Sequence, residues 1–172
     1  MILAAKANRL LGLFKNVFVT RDSSTWTRIY KSYIRPQLEF AIAAWSPYRL
    51  KDINALEKVQ RRATKVITNL RRVRYEERCK RLNLSSLQER RVRGDMIQQY
   101  KIHKKFETLI WFYPPSHSLP RSWQRAQIRR EIVRACDQRH YFFNNRIVNL
   151  WNALPDDIIN TNSVDSFKEK LD

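Results

Sequence analysis

Glycine is almost missing from this chain: of 172 residues only Gly12 and Gly94, each isolated, are glycines. A phosphate-cradling loop needs clustered glycines so that backbone amides can approach the anion, and no such loop can be drawn, which excludes P-loop ATP hydrolysis. The same scarcity leaves few places for tight left-handed turns. Cysteine is as sparse, and Cys79 and Cys136 lie far apart, which points to reduced thiols rather than a disulfide scaffold. Cys136 and His140 stand four apart and would share a helix face, but Cys79, His103 and His117 are scattered and four ligands at knuckle spacing are lacking. Ordinary packing is therefore preferred to a metal site. Three dispersed histidines give no local signature of a Ser/His/Asp or Cys/His triad. The only adjacent aspartates, Asp156 and Asp157, follow Leu154 and Pro155 and read as a turn or helix start rather than as carboxylates holding magnesium. No apolar run approaches the ~20 residues of a spanning helix. The opening MILAAKANRLLGLFK is interrupted by Lys6 and Arg9 and lacks a signal-peptide pattern, so an intracellular location is expected.

What is abundant is positive charge. Lysine and arginine total 34 against 16 acids, a net charge of +18, which favours nucleic acid or another anionic surface as partner, with a membrane the weaker option. The 43% hydrophobic content suffices for one sizeable core or two small adjoining ones. Residues 51–110 hold 17 basic residues against 7 acidic ones, whereas 147–172 hold 2 against 5. The acidic end either lies against the basic body or forms an exposed last helix with solvated acids, and the second is preferred.

Apolar spacing predicts an all-α chain. Leu3, Ala7, Leu10, Leu11 and Phe14 mark an amphipathic helix over the first fifteen residues. After Asp22, Ser23 and Ser24 as candidate caps, Trp26, Ile29, Tyr30, Tyr33 and Ile34 form one helical side. Pro36 kinks or splits that segment into two helices before Trp45, and Pro47 ends it. The central helix starts on Asp52 and runs to near Asn69. Wound at about 100° per residue, it gathers Ile53, Leu56, Val59, Ala63, Val66, Ile67 and Leu70 in one arc. A short helix stops at Asn83; Ser85 and Ser86 with Gln88 and Glu89 make overlapping capping boxes for a helix to about Phe106, buried through Val92, Met96 and Tyr100. Gly94 within it marks either a close helix crossing or a weak point. From Leu109 to about Asp137 prolines break the rhythm, giving a connection or short β-hairpin. FFNNRIVNLWNALP then resumes a helix on Phe143, Ile147, Leu150 and Trp151, and a last helix from Ser163 buries Val164, Phe167 and Leu171. Trp45 and Trp151 are assigned to packing.

The candidate site is cationic. Lys58, Arg61, Arg62 and Lys65 fall in an arc beside the apolar face of the central helix, a pattern that serves equally as a solvated basic face or as a contact for a polyanion. Arg90, Arg93, Lys101 and Lys104 lie off the buried stripe of their helix and add basic surface. Arg121, Arg125, Arg129 and Arg130 are placed to hold phosphates, while the interleaved Trp111, Phe112, Tyr113 and Trp123 either stack on unpaired bases or cover a thin core, the latter being preferred.

Four separated stretches, YKSYIRPQLEFAIAAWSPY, LEKVQRRATKVI, YEERCKRLNLSSLQERRVRGDMIQQYKI and FFNNRIVNLWNALP, taken in this order and spacing, resemble the region after the catalytic palm of non-LTR (LINE-like, jockey-type) retrotransposon reverse transcriptases. The likeness runs from about Ala5 to Leu171 and is poorest between Phe106 and Gln138. It implies a thumb-like helical bundle with its following helices over 1–109, an irregular basic connection over 110–139, and a C-terminal helix pair packed on the bundle over 140–172. In that family the thumb holds the template–primer duplex, RNA or DNA, beside the palm, whose metal-bound aspartates transfer nucleotides. The resemblance therefore implies a chain that is no enzyme on its own, with Mg²⁺ expected only in the palm, with the palm and fingers as protein partners and with a nuclear setting. An initiating methionine before the thumb fits a 5′-truncated copy or a partial gene. By the resemblance Lys58, Arg61, Arg62 and Lys65 match the QRRAT block and would touch a nucleic-acid backbone, or pair with acids of the other domains. A repurposed stand-alone nucleic-acid-binding or protein-interaction domain is the alternative.

Overall fold

The computed structural model describes residues 2–107 and 127–171, which form helices joined by turns and irregular stretches, with no strand among them. The all-α expectation holds, and the β-hairpin offered for the connection is not seen among the described residues. Trp111, Phe112, Tyr113, Arg121, Trp123 and Arg125 lie outside them. Two compact units emerge. One combines the described residues through Ala41 with Pro47–Arg91; the other combines Ile42–Ser46 with those from Val92 onward. The division falls inside a helix, between Arg91 and Val92, whereas the sequence reading draws its boundaries near 109 and 139.

In the first unit, α1 (Ile2–Val17) buries Ala4, Ala7 and Leu11. Asp22 caps α2 (Ser23–Ile29): its carboxylate accepts the Thr25 N–H at 2.8 Å, which holds the carboxyl below its ordinary range. The interruption expected at Pro36 takes the form of a π turn over Tyr30–Ile34, followed by the four-residue α3 (Arg35–Leu38). The widened turn accommodates the proline's missing donor and rotates Tyr33 off the face that Trp26, Ile29, Tyr30 and Ile34 bury. Tyr33 is accordingly 57% exposed rather than part of the core. No second helix reaches Trp45; turns replace it, and Trp45 is exposed rather than packed.

Helix α4 (Leu50–Thr64) has Arg49 at its cap position, and Asp52, read as the cap, instead sits in the first turn, where it favours the helix dipole. It ends at Thr64 rather than near Asn69. The carbonyl of Arg61 takes the Arg78 guanidinium at 3.5 Å and that of Ala63 takes the Trp26 indole N–H at 2.9 Å, so acceptors that would continue the helix are occupied by side chains. Val66, Ile67 and Leu70 are still buried, through a turn and a 3₁₀ turn over Thr68–Leu70. Helix α5 (Tyr75–Arg81) closes in a Schellman motif: Asn83 adopts φ +48°, its N–H reaches Lys80 O at 3.1 Å, and the Leu84 N–H reaches Cys79 O at 2.9 Å. Ser86 and Glu89 then exchange backbone N–H bonds at 3.0 and 3.1 Å, the expected capping box, and open α6 (Leu87–His103). A left-handed Lys105 ends that helix short of Phe106.

The second unit is built on the later part of α6. Met96 and Tyr100 pack with Ile147, Trp151, Ile159 and Phe167; the Tyr100 and Phe167 rings stack with centroids 4.2 Å apart, and the Tyr100 hydroxyl donates to Thr161 O at 2.6 Å. A Cβ at Gly94 would sit 3.6 Å from Ile42 Cδ1, an ordinary van der Waals contact, so no close crossing at this point demands a glycine. Asp95, 4% exposed, receives both nitrogens of Arg146 at 2.8 Å, and Arg146 also donates to Ile42 O at 2.8 Å. After α7 (Asp137–His140), the stretch read as a helix pair is divided into α8 (Phe143–Arg146), α9 (Val148–Asn152), α10 (Asp156–Ile159) and α11 (Val164–Leu171). Because the helical phase breaks at Ile147, Leu150 turns outward and is 42% exposed instead of buried. Asp156 and Asp157 start α10, as read. The acids Asp157 and Asp165 pair with Lys170 and Lys168 of the same region.

Candidate nucleic-acid interface

The block Gln60–Thr64 alternates between burial and exposure. Gln60, with no exposed surface, is the hub of a polar network: its Oε1 accepts the Tyr30 hydroxyl at 2.5 Å, and its amide donates to the Tyr75 hydroxyl at 2.9 Å and to Ser85 O at 3.0 Å. Tyr75 passes its own proton to a hydrogen bond with Glu57, and the second oxygen of Glu57 accepts the Leu87 N–H at 3.2 Å, at the start of α6. Burial, reinforced at Tyr75 by the Glu57 carboxylate, pushes both phenols far above their ordinary range, so both remain donors. Arg78, 2% exposed, is satisfied by neutral oxygens: Thr64 Oγ1 at 3.0 Å, Val73 O at 2.6 Å and Arg61 O at 3.5 Å. A buried cation among the last carbonyls of α4 complements the negative end of that helix.

On the other side of this frame stand Lys58, Arg61, Arg62 and Lys65, all exposed. At about 100° per residue they occupy an arc of about 100°. Arg61 lies over the Tyr75 ring, its Cζ 4.8 Å from the centroid, and Arg62 donates to Asn8 Oδ1 of α1 at 3.1 Å. Among the described residues none of the four has a carboxylate partner within 4.0 Å. Sequence reasoning missed Lys51, which is exposed and lies seven residues before Lys58, on the same arc; the periodicity that singled out the other four contains it.

The remaining sites divide. Arg90 is half-buried and bound to Glu39 through two nitrogens, and half-buried Arg93 donates to Lys168 O at 3.5 Å, so both are held within their own units rather than adding open basic surface. Lys101 pairs with Glu107 at 2.9 Å, and Lys104 sits over the Tyr100 ring at 5.7 Å. Helical phase places all four off the buried stripe as basic surface, but it does not register Glu39 and Lys168, which lie 51 and 75 residues from Arg90 and Arg93. Arg129 and Arg130 are exposed on an irregular segment pinned by two asparagines: Asn152 exchanges bonds with Ile128 N and O at 3.0 and 2.9 Å, and Asn145 with Glu131 N and O at 2.8 and 3.3 Å. Neither asparagine carries a sequence signal beyond its polarity. Among the described residues no group of three or more His, Cys, Asp or Glu side chains could hold a metal ion, and no helix is long and apolar enough to cross a membrane. Cys136 is exposed, and the His140 ring contacts Tyr141 edge-on.

No family model, no curated protein and no solved structure matches this chain.

Proposed function

We propose that this chain is the helical region following the palm of a non-LTR retrotransposon reverse transcriptase, and that α4 grips the backbone of the template–primer. Nucleotidyl transfer and its Mg²⁺ belong in this reading to the palm, whose paired aspartates are not among these residues. The observation that carries the reading is the strip Lys58, Arg61, Arg62 and Lys65: exposed, not neutralised by any described carboxylate, and mounted on a helix whose other side is buried. Such a strip displaces condensed counterions from a polyanion and binds with little regard for base sequence.

The test is anisotropy with a labelled RNA–DNA duplex at 100 mM salt. Arg61→Glu, Arg62→Glu and Lys65→Glu together are expected to weaken binding by more than about a hundredfold, three phosphate contacts being lost. A matched reversal at Arg139, Lys168 and Lys170 is expected to keep most of the affinity. Equal losses in the two triples would reduce the strip to a share of the overall charge and overturn the reading. Retained duplex binding with loss of an acidic protein partner would establish the interaction-domain alternative instead.

A further inference from the structure

Helix α1 has a second apolar side that its own unit covers only in part. The side it buries is narrow and made of Ala4, Ala7 and Leu11. Around the helix from these, half-buried Leu10 and exposed Val17 stand seven apart, and Lys6 and Leu13 interleave with them, also seven apart; Leu3, a further seven back, is partly buried against the unit's own core. Leu13 and Val17 are 55% and 63% exposed, and Ile2 beside them is exposed as well. Phe14, partly buried against the core, borders this side: the Tyr33 ring lies 5.3 Å from it and the Phe18 ring 5.9 Å, and Tyr33 is itself largely open. Asn8, which receives Arg62, is on a different side of the helix, so the seam is distinct from the cationic strip of α4.

We propose that this seam docks an acidic amphipathic helix of another protein. A strict seven-residue apolar repeat is the pattern by which two helices pair, and a single lysine within it fixes register by demanding an acid opposite. Residues 2–21 contain Lys6, Arg9, Lys15 and Arg21 and no acid, so the complementary partner carries Glu or Asp facing Lys6 and along its flanks. A second copy of the chain meets this seam with more cations and no counter-charge. A lipid surface calls for one wide apolar face with lysines at its edges, not a lysine inside the seam.

The probe is a synthetic 21-residue peptide with leucine at both seam positions and glutamate opposite Lys6 and on the flanks, titrated into the full chain by calorimetry. It is expected to bind at least tenfold tighter than a peptide with lysine at every glutamate, and at least tenfold tighter than a scrambled peptide of the same composition. Leu13→Ser with Val17→Ser should abolish that preference, with the helical circular-dichroism melt unchanged, whereas Leu150→Ser should not. Equal binding of the scrambled peptide, or indifference to the double serine variant, would overturn the proposal. So would a concentration-dependent dimer that depends on Leu13 and Val17, or competition by phosphatidylserine vesicles that removes the peptide.

Discussion

Salt dependence gives the cationic strip a quantitative test. Lys51, Lys58, Arg61, Arg62 and Lys65 are exposed along one side of α4 and its cap, and at 1.5 Å per residue the strip is about 21 Å long. One strand of a duplex places a phosphate about every 3.4 Å of axis, so about six phosphates lie within that length, enough for each of the five cations. With five contacts the slope of log affinity against log salt is about −4.5 on duplex and about −3.5 on a single strand. Raising salt from 50 to 200 mM should then weaken duplex binding about 500-fold and single-strand binding about 130-fold. Replacing Arg61, Arg62 and Lys65 by glutamine should shift the duplex slope to about −1.8, since each lost contact removes about 0.9. Anisotropy across four salt concentrations measures both slopes. If the triple variant keeps the parent's slope, those side chains touch no phosphate and the reasoning fails.

Three further outcomes follow from the packing. Gln60→Leu strands the Tyr30 hydroxyl and Ser85 carbonyl in the interior and should lower the urea-derived stability by about 3 kcal/mol; a loss below about 1 kcal/mol would mean that the network is incidental. Asp95→Leu leaves the Arg146 guanidinium without its carboxylate and should cost about 3–5 kcal/mol, most of it recovered when Arg146→Met is added, which hydrogen exchange in the second unit would report. His103, packed on Trp151 with centroids 5.6 Å apart, has its pKa lowered by burial and then by Lys104. The unfolded chain therefore binds the proton more readily than the folded one: the contribution of the neutral ring is full above the unfolded value of about 6.5 and is lost as pH falls through the lower folded value. Thermal melts should fall across that acid window, and His103→Gln should flatten this component of the fall.

What could be read from the sequence is what short-range chemistry decides. Asp22, Asn83 and the Ser86–Glu89 pair act on backbone groups within a few residues, and each was recognisable from residue type and spacing. The buried faces of α4 and α6 follow from helical phase, whereas on α1 only Ala7 and Leu11 of the expected face are buried, with Ala4 beside them in place of Leu3, Leu10 and Phe14. The errors arise where a distant partner intervenes. Trp26 and Arg78 stop α4 from 37 and 17 residues away, and Glu39 takes Arg90 from 51 residues away. A π turn shifts the phase at Tyr33, and the break at Ile147 does the same to Leu150. Gln60 was invisible for another reason: a glutamine beside two arginines reads as surface, and only the convergence of Tyr30, Tyr75 and Ser85 makes its burial tolerable.

The same convergence separates the electrostatics of the strip from its positioning. Arg78 does not belong to the exposed strip, yet it occupies Thr64 Oγ1 and the Arg61 carbonyl and so holds the last turn that carries Arg61 and Arg62. A rigid turn lowers the ordering needed on binding, and that saving appears in affinity without adding a phosphate contact. Arg78→Met should therefore weaken duplex binding several-fold while leaving the salt slope unchanged, because no charge facing the ligand is lost. A slope shallower by about one unit would show instead that Arg78 swings out and touches a phosphate itself. Parallel curves of reduced affinity would show that the buried guanidinium works through the helix end it stabilises.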